Sequence, residues 1–514
     1  MKNPIKALIA GVRRLWSRVR SAYDASETGR FRKSKSDRGS ANRQLDAAWL
    51  PVVTRARDLD NNYDIGAGIL DVLTDNVVGS GIAPEFQVML KDGKPAKAVN
   101  DRLTKLWDDW IHVCDVTGEY DYYSMQRQLF RSAARDGESF CQMVVGTVPG
   151  LVYESEVPFA LEALECDFVP IGKNDDARNI RQGIRHNAWG RPLAYHVFKK
   201  HPGDATSFDT TTKEVPAQRM LHFKFTKRFH QSRGMSIFAT VLNRLDDIKE
   251  IDENERVAAR MSAAMAMYIK KGDSAQYEAP AADGSLGPNG EPTLRELEVV
   301  PGMIIDNLRP GEDVGSITSN RPNNALIPFR DSNLRGVAAG TKTTFSSISK
   351  NYDGTYSAQR QELVEGRRGY ETLANAFVYR HCQPVTTMFV MSALAKGLLD
   401  LRDVDMGTIY DASFAIPPMV WIDPLKEANA NAVCEDRGWT SNSRIIRSRG
   451  DKPHQVRNEI VRDQQDIKDK GIKLPENPAQ AAEQQEADRQ AAAQEPAFEP
   501  AARQRNLRVA QPRF

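Results

Sequence analysis

The sequence has few of the features that mark secreted, membrane-spanning or nucleotide-hydrolysing proteins. Its five cysteines have no metal-ligand spacing and no readable disulfide pattern, which favours a reducing compartment. The longest apolar run near the N-terminus, residues 7–11, is too short for a signal peptide or a membrane span. No Walker A motif occurs, since residues 336–344 lack the Gly-Lys pair. We therefore expect no catalytic site, no metal ion and no organic cofactor. The cysteines are Cys114, Cys141, Cys166, Cys382 and Cys434.

The net charge of +2 is small but unevenly distributed. Residues 1–40 hold eleven Lys/Arg and three Asp/Glu, whereas residues 475–514 hold five and six. A basic arm thus precedes a mildly acidic body. This distribution is not that of a protein that grips nucleic acid with its whole surface.

The 514 residues are enough for about two to four domains, and their patterning predicts an α+β fold. Apolar residues at helical spacing predict helices at 97–113 and 122–136, the latter capped by Gly137. Alternating segments then predict strands, with a hairpin that turns at 188–191. The predicted strands are 139–146, 159–165, the hairpin 180–198, and 219–225.

A long charged helix is predicted over residues 236–267. Its apolar stripe is thin (Val241, Leu245, Ile248, then Ala258, Met261 and Met265), and charges surround its middle. A helix with so narrow a stripe is expected to bridge, to project or to pack on copies of itself. The charges of its middle include Asp246, Asp247, Glu250, Asp252, Glu253 and Arg256.

The C-terminal half shows a loop-rich stretch followed by more helices. Residues 272–322 are rich in Gly and Pro, a helix returns at 328–340, and a polar loop is predicted at 341–355. In the next helix, 356–383, Tyr356, Leu363, Tyr370 and Phe377 recur every seven residues as a packing stripe. Two helices at 424–437 and 453–470 and a disordered Ala/Gln/Pro-rich tail, 475–514, complete the chain.

Three segments have compositions that allow a chemical role. The carboxylates Asp246, Asp247, Glu250 and Asp252 are a candidate divalent-metal site for a nuclease, although interleaved basic residues favour ion pairs within the helix. The basic loop 223–234 carries three phenylalanines, whose spacing favours a strand end that feeds the core over single-strand nucleic-acid binding. The loop 341–350 offers Lys342 and Lys350 among hydroxyls for sequence-independent phosphate contact.

Segments spread from 55 to 451 resemble the lambda-type family of tailed-phage portal proteins. They include RARDLDNN (55–62), RSAARDGESF (131–140), GIRHNAWGRPLAYHVF (183–198) and the central block at 221–242, which contains Arg233 and Gly234. The segment NYDGTYSAQRQEL (351–363) matches a family segment through Tyr356, Ser357 and Arg360. No single motif is diagnostic, but the order of the blocks makes the resemblance specific.

The resemblance implies a portal-like fold with wing, stem, clip and crown. Residues 1–43 would be a flexible arm and 44–234 the α+β part of the wing. The stem helices would be 235–271 and 323–340, with the clip at 272–322 between them. A tunnel loop at 341–355 would place Lys342, Ser346, Ser347 and Lys350 against DNA. Residues 356–413 would return to the wing, and 414–474 would form the crown.

The resemblance also implies a closed homo-oligomeric ring of about twelve subunits at one vertex of the virion capsid. Double-stranded DNA would enter and leave through its channel without sequence preference, and no membrane would be involved. Its partners would be the terminase large subunit, the major capsid and scaffold proteins, and head–tail connector proteins, with assembly in the host cytoplasm. The alternatives are a metal-dependent nuclease, and a DNA- or membrane-binding module that works through the basic arm.

Overall fold

The computed structural model describes residues 39–204, 211–263, 267–271, 312–316, 325–418 and 423–471. The chain divides into two units, one of residues 1–441 with 448–450, and one of residues 442–447 with 451–514. The predicted tail, nearly all of the predicted arm and most of the predicted clip lie outside the described residues.

The described residues combine helices and antiparallel strands, which confirms the predicted α+β class. The helices are α1 (Ala41–Asn62), α2 (Asp64–Val77), α3 (Lys97–Trp110), α4 (Tyr122–Asp136), α5 (Leu242–Ala263), α6 (Leu326–Thr341), α7 (Phe345–Ser349), α8 (Tyr356–Phe377), α9 (Gln383–Ala395), α10 (Pro424–Asp436), α11 (Asn442–Ser448) and α12 (Pro453–Asp469). The strands are β1 (Pro84–Phe86), β2 (Glu138–Val145), β3 (Phe159–Leu164), β4 (Ile180–Arg181), β5 (Ile184–His186), β6 (Pro192–Phe198), β7 (Thr212–Pro216), β8 (Met220–Lys224), β9 (Met267–Lys271), β10 (Glu312–Ser316) and β11 (Ala412–Phe414).

Two antiparallel sheets lie in the first half of the chain. Strand β2 is the centre of one, with β3 and β8 on either side, and the other runs β4-β5-β6-β7. The predicted hairpin is confirmed, since Asn187 donates its N–H to the carbonyl of Arg191 across the turn at 2.9 Å. Two further sheets have two strands each, and they join β1 to β11 and β9 to β10. The antiparallel pairing of β2 and β8 places Lys224, at the end of β8, beside Glu138, at the start of β2. The candidate functional site begins at this point.

Aromatic side chains fill the core between α3, α4 and the β2 sheet. The predicted apolar stripe of α3 is buried throughout, and the Trp110 indole donates to the carbonyl of Phe159 at 2.7 Å. The two rings stack at 5.2 Å, and Trp107 packs edge-on against Phe389 of α9. Paired buried aromatics of this kind add specific contacts to the area they bury. The core therefore ties α9, late in the chain, to the N-terminal helices.

Helices α5 and α6 pack on one another through glycine. A side chain at Gly336 would overlap the guanidinium of Arg244, and one at Gly340 would overlap Val241. Since small residues permit close helix approach, α6 lies directly against the start of α5. The predicted helix 328–340 is confirmed as α6, with Gly340 in its last turn and Lys342 as its cap.

Three predicted helix boundaries are wrong. Residues 41–43 of the predicted arm already belong to α1, whose first turn is capped by the Ser40 hydroxyl. The predicted stem helix 235–271 begins only at Leu242, after a 3-10 turn, and gives way to β9 at Met267. Helix α8 ends at Phe377 in a wide π-turn over Val378–Cys382, beyond which α9 continues. Helical periodicity in sequence does not distinguish these local changes of pitch.

The second unit contains α11 and α12, which contact one another through a hydrogen bond from Arg457 Nη2 to Ser443 Oγ at 2.8 Å. The predicted helices at 424–437 and 453–470 are confirmed as α10 and α12, and α11 between them was not predicted. Within the described part of the chain, no helix is both long and apolar enough to span a membrane.

Candidate functional site

Arg233, one of the motif residues, is completely buried at the junction where the chain leaves the sheets for α5. Its Nε donates to Glu138 Oε1 at 2.6 Å, and its remaining nitrogens donate to three backbone carbonyls. The guanidinium also lies over the rings of Trp49 and Phe140, at 5.3 and 5.4 Å. A planar group with several donors suits this environment because each of its three nitrogens finds an acceptor. The acceptor carbonyls are those of Cys166 (3.0 Å), Val169 (2.9 Å) and Gln182 (3.1 Å).

Two glycines, Gly137 and Gly234, allow the chain before β2 and the chain after Arg233 to approach closely at this junction. Gly137 has φ +101°, and a Cβ there would overlap the backbone of Met235. A Cβ at Gly234 would overlap the carbonyl of Gly137. The close approach allows the Gly234 N–H to reach Glu138 Oε2 at 2.8 Å. The motif pair Arg233–Gly234 therefore supplies one charge and one close backbone contact to the same carboxylate.

The buried carboxylate of Glu138 is held ionised. Burial opposes its charge, but the Arg233 guanidinium and the hydrogen bonds from His222 and Gly234 hold the pKa of Glu138 well below its usual range. Burial lowers the pKa of the His222 ring, whose Nε2 lies 2.9 Å from Glu138 Oε2, despite that contact. The junction thus contains an ionised acid, a neutral histidine and a charged arginine, all shielded from water.

A second ion network joins two segments that carry the family resemblance. Arg57 of α1 pairs with Asp136 at 2.9 Å and with Asp167, while Arg131 of α4 grips Asp60 through both of its terminal nitrogens at 2.7 and 2.8 Å. Sequence reasoning missed these pairs. The sequence shows two helical segments, 55–60 and 131–136, that each contain both arginine and aspartate. Whether they contact one another depends on tertiary packing. Blocks far apart in sequence therefore converge next to the Arg233 junction.

The acidic helix α5 differs between its two halves. Its first half packs in the core through Val241, Leu242, Leu245 and Ile248, contrary to the expectation that the stripe was too narrow for core packing. Its second half leaves the core, and Val257 is 43% exposed. The thin stripe thus belongs to a helix that is anchored at one end only.

Several of the predicted stem charges are paired, but not within the helix as expected. Asp246 pairs with Arg55 of α1, and Asp252 Oδ2 lies 3.1 Å from Arg330 Nε of α6. Lys249 lies 3.9 Å from Asp58 of α1. Asp247, Glu250, Glu253 and Arg256 are exposed to solvent. The ion pairs fix α5 against α1 and α6, while the exposed face stays charged.

The segment 341–355 is partly folded, which corrects the prediction of a polar loop throughout. Residues 345–349 form the short helix α7, and Ser346 is buried. Glu362 of α8 accepts from both the Ser346 N–H (3.1 Å) and its hydroxyl (2.9 Å). Ser347 bonds with Thr344. Ser346, predicted to face DNA, is therefore turned into the protein in this structure.

Lys342 and Lys350, in contrast, are both exposed and neither ammonium has a partner among the described residues. They end α6 and α7 in the left-handed conformation, with φ +60° and +55°. Glycine is the usual residue at such helix ends, and a lysine costs about 1 kcal/mol there. Two solvent-facing cations thus occupy positions where glycine would be more stable.

The motif residues Tyr356, Ser357 and Arg360 lie in the first turns of α8 and are all exposed. The stripe predicted for this helix is confirmed for Tyr370 and Phe377, which are buried, but Tyr356 and Leu363 are 54% and 44% exposed. The seven-residue recurrence therefore continues beyond the region that the core covers.

The structure does not favour the nuclease alternative. Asp246 and Asp252 already pair with arginines, which removes two of its four proposed metal ligands. Among the described residues, one group has the spacing to hold a metal ion: Glu165, Asp167 and His201. There His201 Nδ1 accepts the Gly203 N–H at 3.1 Å, and His201 Nε2 lies 3.3 Å from Glu165 Oε2. Asp167 already pairs with Arg57, and Glu165 lies 3.8 Å from Arg135, so both carboxylates of this group face arginines.

Comparison with known proteins identifies relatives over most of the chain. The family described as "Phage portal protein, lambda family" matches residues 27–373. Portal protein B of Escherichia phage lambda is 23% identical over 470 residues, which cover 84% of this chain and 87% of that protein. The probable portal protein of Halomonas phage phiHAP-1 is 22% identical over 453 residues, covering 86% and 85%.

Solved structures show more distant similarity. A chain of the virion of a native gene transfer agent particle is 13% identical, with a TM-score of 0.43, and covers 81% of this chain and 100% of its own length. A portal protein of the HK97 family from Corynebacterium diphtheriae, also 13% identical, gives a TM-score of 0.34 and covers 74% and 98%.

Proposed function

The chain belongs to the lambda family of phage portal proteins, and from that premise we propose that it assembles into a closed ring of about twelve copies that conducts double-stranded DNA. The observation that carries the proposal is the α5–α6 pair, anchored in the core at one end and charged at the other, followed directly by two unpaired lysines. In this arrangement α5 and α6 form the stem, and the segment 341–355 faces the channel.

Uncovered apolar side chains support the ring. Ile327 and Phe329 of α6 are 69% and 53% exposed, and Tyr356 and Leu363 extend the buried stripe of α8 beyond the core. Clusters of exposed apolar residues mark protein contact surfaces. A neighbouring copy that covers these faces extends the packing that begins within each subunit.

The charge distribution suits a conduit that must release its cargo. Each phosphate that a protein neutralises adds affinity, which has to be broken whenever DNA moves. The exposed carboxylates Asp247, Glu250 and Glu253 repel the duplex. Lys342 and Lys350 contact its phosphates weakly at one height along the channel. Ser346 can contact DNA only if its hydrogen bonds to Glu362 break.

The proposed partners follow from the position of the protein in a virion. The segment 272–322 binds the terminase large subunit during packaging and head–tail connector proteins afterwards. The rest of the ring contacts the major capsid and scaffold proteins at one capsid vertex, after assembly in the host cytoplasm. In this proposal the protein has no catalysis of its own, and the motor subunit hydrolyses the nucleotide.

Electron microscopy of the purified full-length protein, with light scattering on the same sample, tests the ring. We expect rings with a central hole and about twelve times the 57.4 kDa mass of one chain. Leu363→Glu is expected to prevent assembly without unfolding the subunit, whereas Leu50→Glu, at a 60% exposed position of α1, leaves rings intact. A subunit that stays monomeric when co-expressed with capsid and scaffold proteins would contradict the proposal.

The DNA-facing role is tested separately with the double variant Lys342→Gln, Lys350→Gln. We expect normal rings with reduced packaging or reduced DNA retention. The matched control is Lys91→Gln with Lys97→Gln, which removes the same charge from two exposed positions near α3. Equal packaging by both double variants would refute a role for these lysines in the channel.

A further inference from the structure

A cationic pocket lies between the β5–β6 turn and the loop that follows β8, away from the segment 341–355. It has a volume of about 410 Å³, and its lining includes Arg181, His186, Lys224 and His230. None of the described residues that line it is Asp or Glu. The polar residues around it are Asn, Gln and Ser, so nothing in the described lining balances its positive charge.

The donors of this pocket are incompletely used. Arg181 is exposed and has no partner among the described residues. His186 is 9% exposed, and its Nδ1 is buried without a hydrogen-bond partner. The Lys224 ammonium donates to two carbonyls, of Gln231 (2.8 Å) and Ser232 (2.6 Å), which leaves a third N–H available. A buried polar atom without a partner is costly, and a ligand in the pocket would relieve that cost.

The pocket is held rigidly by strained backbone on both sides. Asn179 has φ +52° and its side-chain amide donates to the carbonyls of His186 and Asn187, both at 3.0 Å. On the other side His230 has φ +60°, and its carbonyl accepts from Asn42 at 3.1 Å. Left-handed non-glycine residues persist where the surrounding structure enforces them, and they concentrate at binding sites.

Two aromatic rings stand uncovered at the rim. Trp189, which lines the pocket, is 89% exposed, and Phe229, next to His230, is 96% exposed. The expected strand end that feeds the core is confirmed for Phe223, which is buried, and for Phe225, which packs against the core, but not for Phe229. Tryptophan and arginine together are typical of the strongest contacts in protein interfaces.

We propose that this pocket binds an acidic side chain of a partner protein, with Trp189 and Phe229 covering the apolar residues beside it. A carboxylate accepts from Arg181 in a bidentate manner and takes the free N–H of Lys224. Duplex DNA fits less well, because a rigid backbone does not enter a concave pocket and stacked bases offer no surface to the two rings. This interaction is independent of DNA conduction and of the channel lysines.

The test measures fluorescence anisotropy of a fluorescein-labelled peptide of alternating Glu and Leu with the full-length protein. We expect Arg181→Gln and Trp189→Ala each to weaken binding about tenfold, the loss expected for one charge-assisted contact or one aromatic anchor. Both positions are exposed, so the subunit remains folded. The matched control is Arg178→Gln, which removes the same charge from the same turn at a side chain that is 77% exposed and outside the pocket.

Two results would overturn the proposal. One is equal peptide binding by the wild type, Arg181→Gln and Trp189→Ala. The other is binding of labelled single-stranded or duplex DNA that depends on Arg181 and Trp189 while the acidic peptide does not compete, since this would assign the pocket to nucleic acid. Normal DNA packaging by Trp189→Ala together with loss of peptide binding would separate this site from the channel.

Discussion

The junction around Arg233 and the exposed face of α5 both carry many charges, but the charges are buried at the junction and hydrated on α5. At the junction every charge is buried and bonded: Arg233 and Glu138 have fully buried side chains that meet at 2.6 Å. Along α5 the partners Arg55 and Asp246 are each nearly half exposed. Asp247 and Glu250 face solvent.

This difference separates charges that hold the fold from charges available for function. A buried pair has lost its hydration, so removing one partner leaves an expensive uncompensated charge. An exposed pair keeps most of its hydration and contributes little to stability. The junction therefore fixes where α5 leaves the sheets, and the exposed face of α5 can vary its charge at low cost in stability.

The largest expected effect is that of Arg233→Met. It leaves Glu138 ionised and buried, so we expect the free energy of unfolding of the full-length chain to fall by about 3–5 kcal/mol, measured by urea denaturation. Arg55→Met provides the comparison on α5, with an expected loss below about 1 kcal/mol. Similar losses for the two variants would remove the distinction between the regions.

Gly234→Ala is expected to be the next most damaging change. The new Cβ overlaps the Gly137 carbonyl, so the backbone must shift and the bond from the Gly234 N–H to Glu138 weakens. We expect a lowered thermal midpoint, equivalent to about 2 kcal/mol or more. In the control, Gly68→Ala in the middle of α2, the Cβ meets no atom within 4 Å, and helix propensity predicts a gain of about 0.5–1 kcal/mol.

The neutral His222 predicts a pH dependence. Burial lowers its pKa in the folded state, so the unfolded chain binds more protons as the pH falls below about 6.5, and stability decreases. The lowered pKa of Glu138 adds a further loss below about 4.3, where the unfolded carboxyl protonates. His222→Gln should reduce the decline in urea midpoint between pH 7 and about 5, whereas His112→Gln, at an exposed position, should leave it unchanged. An unchanged decline in His222→Gln would mean that other buried histidines account for it.

Local patterns predicted much of the fold. The α3 stripe, the Gly137 cap and the hairpin turn depend on neighbours in sequence, and the structure confirms each of them. The π-turn after Phe377 was missed because helical periodicity looks the same on either side of it. The local sequence pattern determines whether a segment is a helix or a strand. Where that segment ends depends on its tertiary contacts in the folded chain.

The candidate site was less predictable for the same reason. The family resemblance pointed to Arg233 and Gly234. Nothing in the sequence showed that their partner is Glu138, which lies 95 residues before Arg233. The polar neighbours of Ser346 predicted an exposed side chain, but its hydroxyl donates to Glu362 and is buried. Polar composition does not distinguish a solvated loop from a hydrogen-bonded one.

The smallest expected effect is also the one in which stability and function change in opposite directions. Lys342 and Lys350 hold left-handed conformations, so Lys342→Gly and Lys350→Gly relieve backbone strain. We expect the free energy of unfolding to stay equal or to rise by up to about 1 kcal/mol, after the larger entropy of the unfolded glycine chain is subtracted. DNA retention should nevertheless fall, because each change removes a solvent-facing cation. Measuring urea midpoint and DNA retention on the same variants separates the two effects. A loss of stability together with normal retention would show that these lysines serve the fold, as the charges of the junction do.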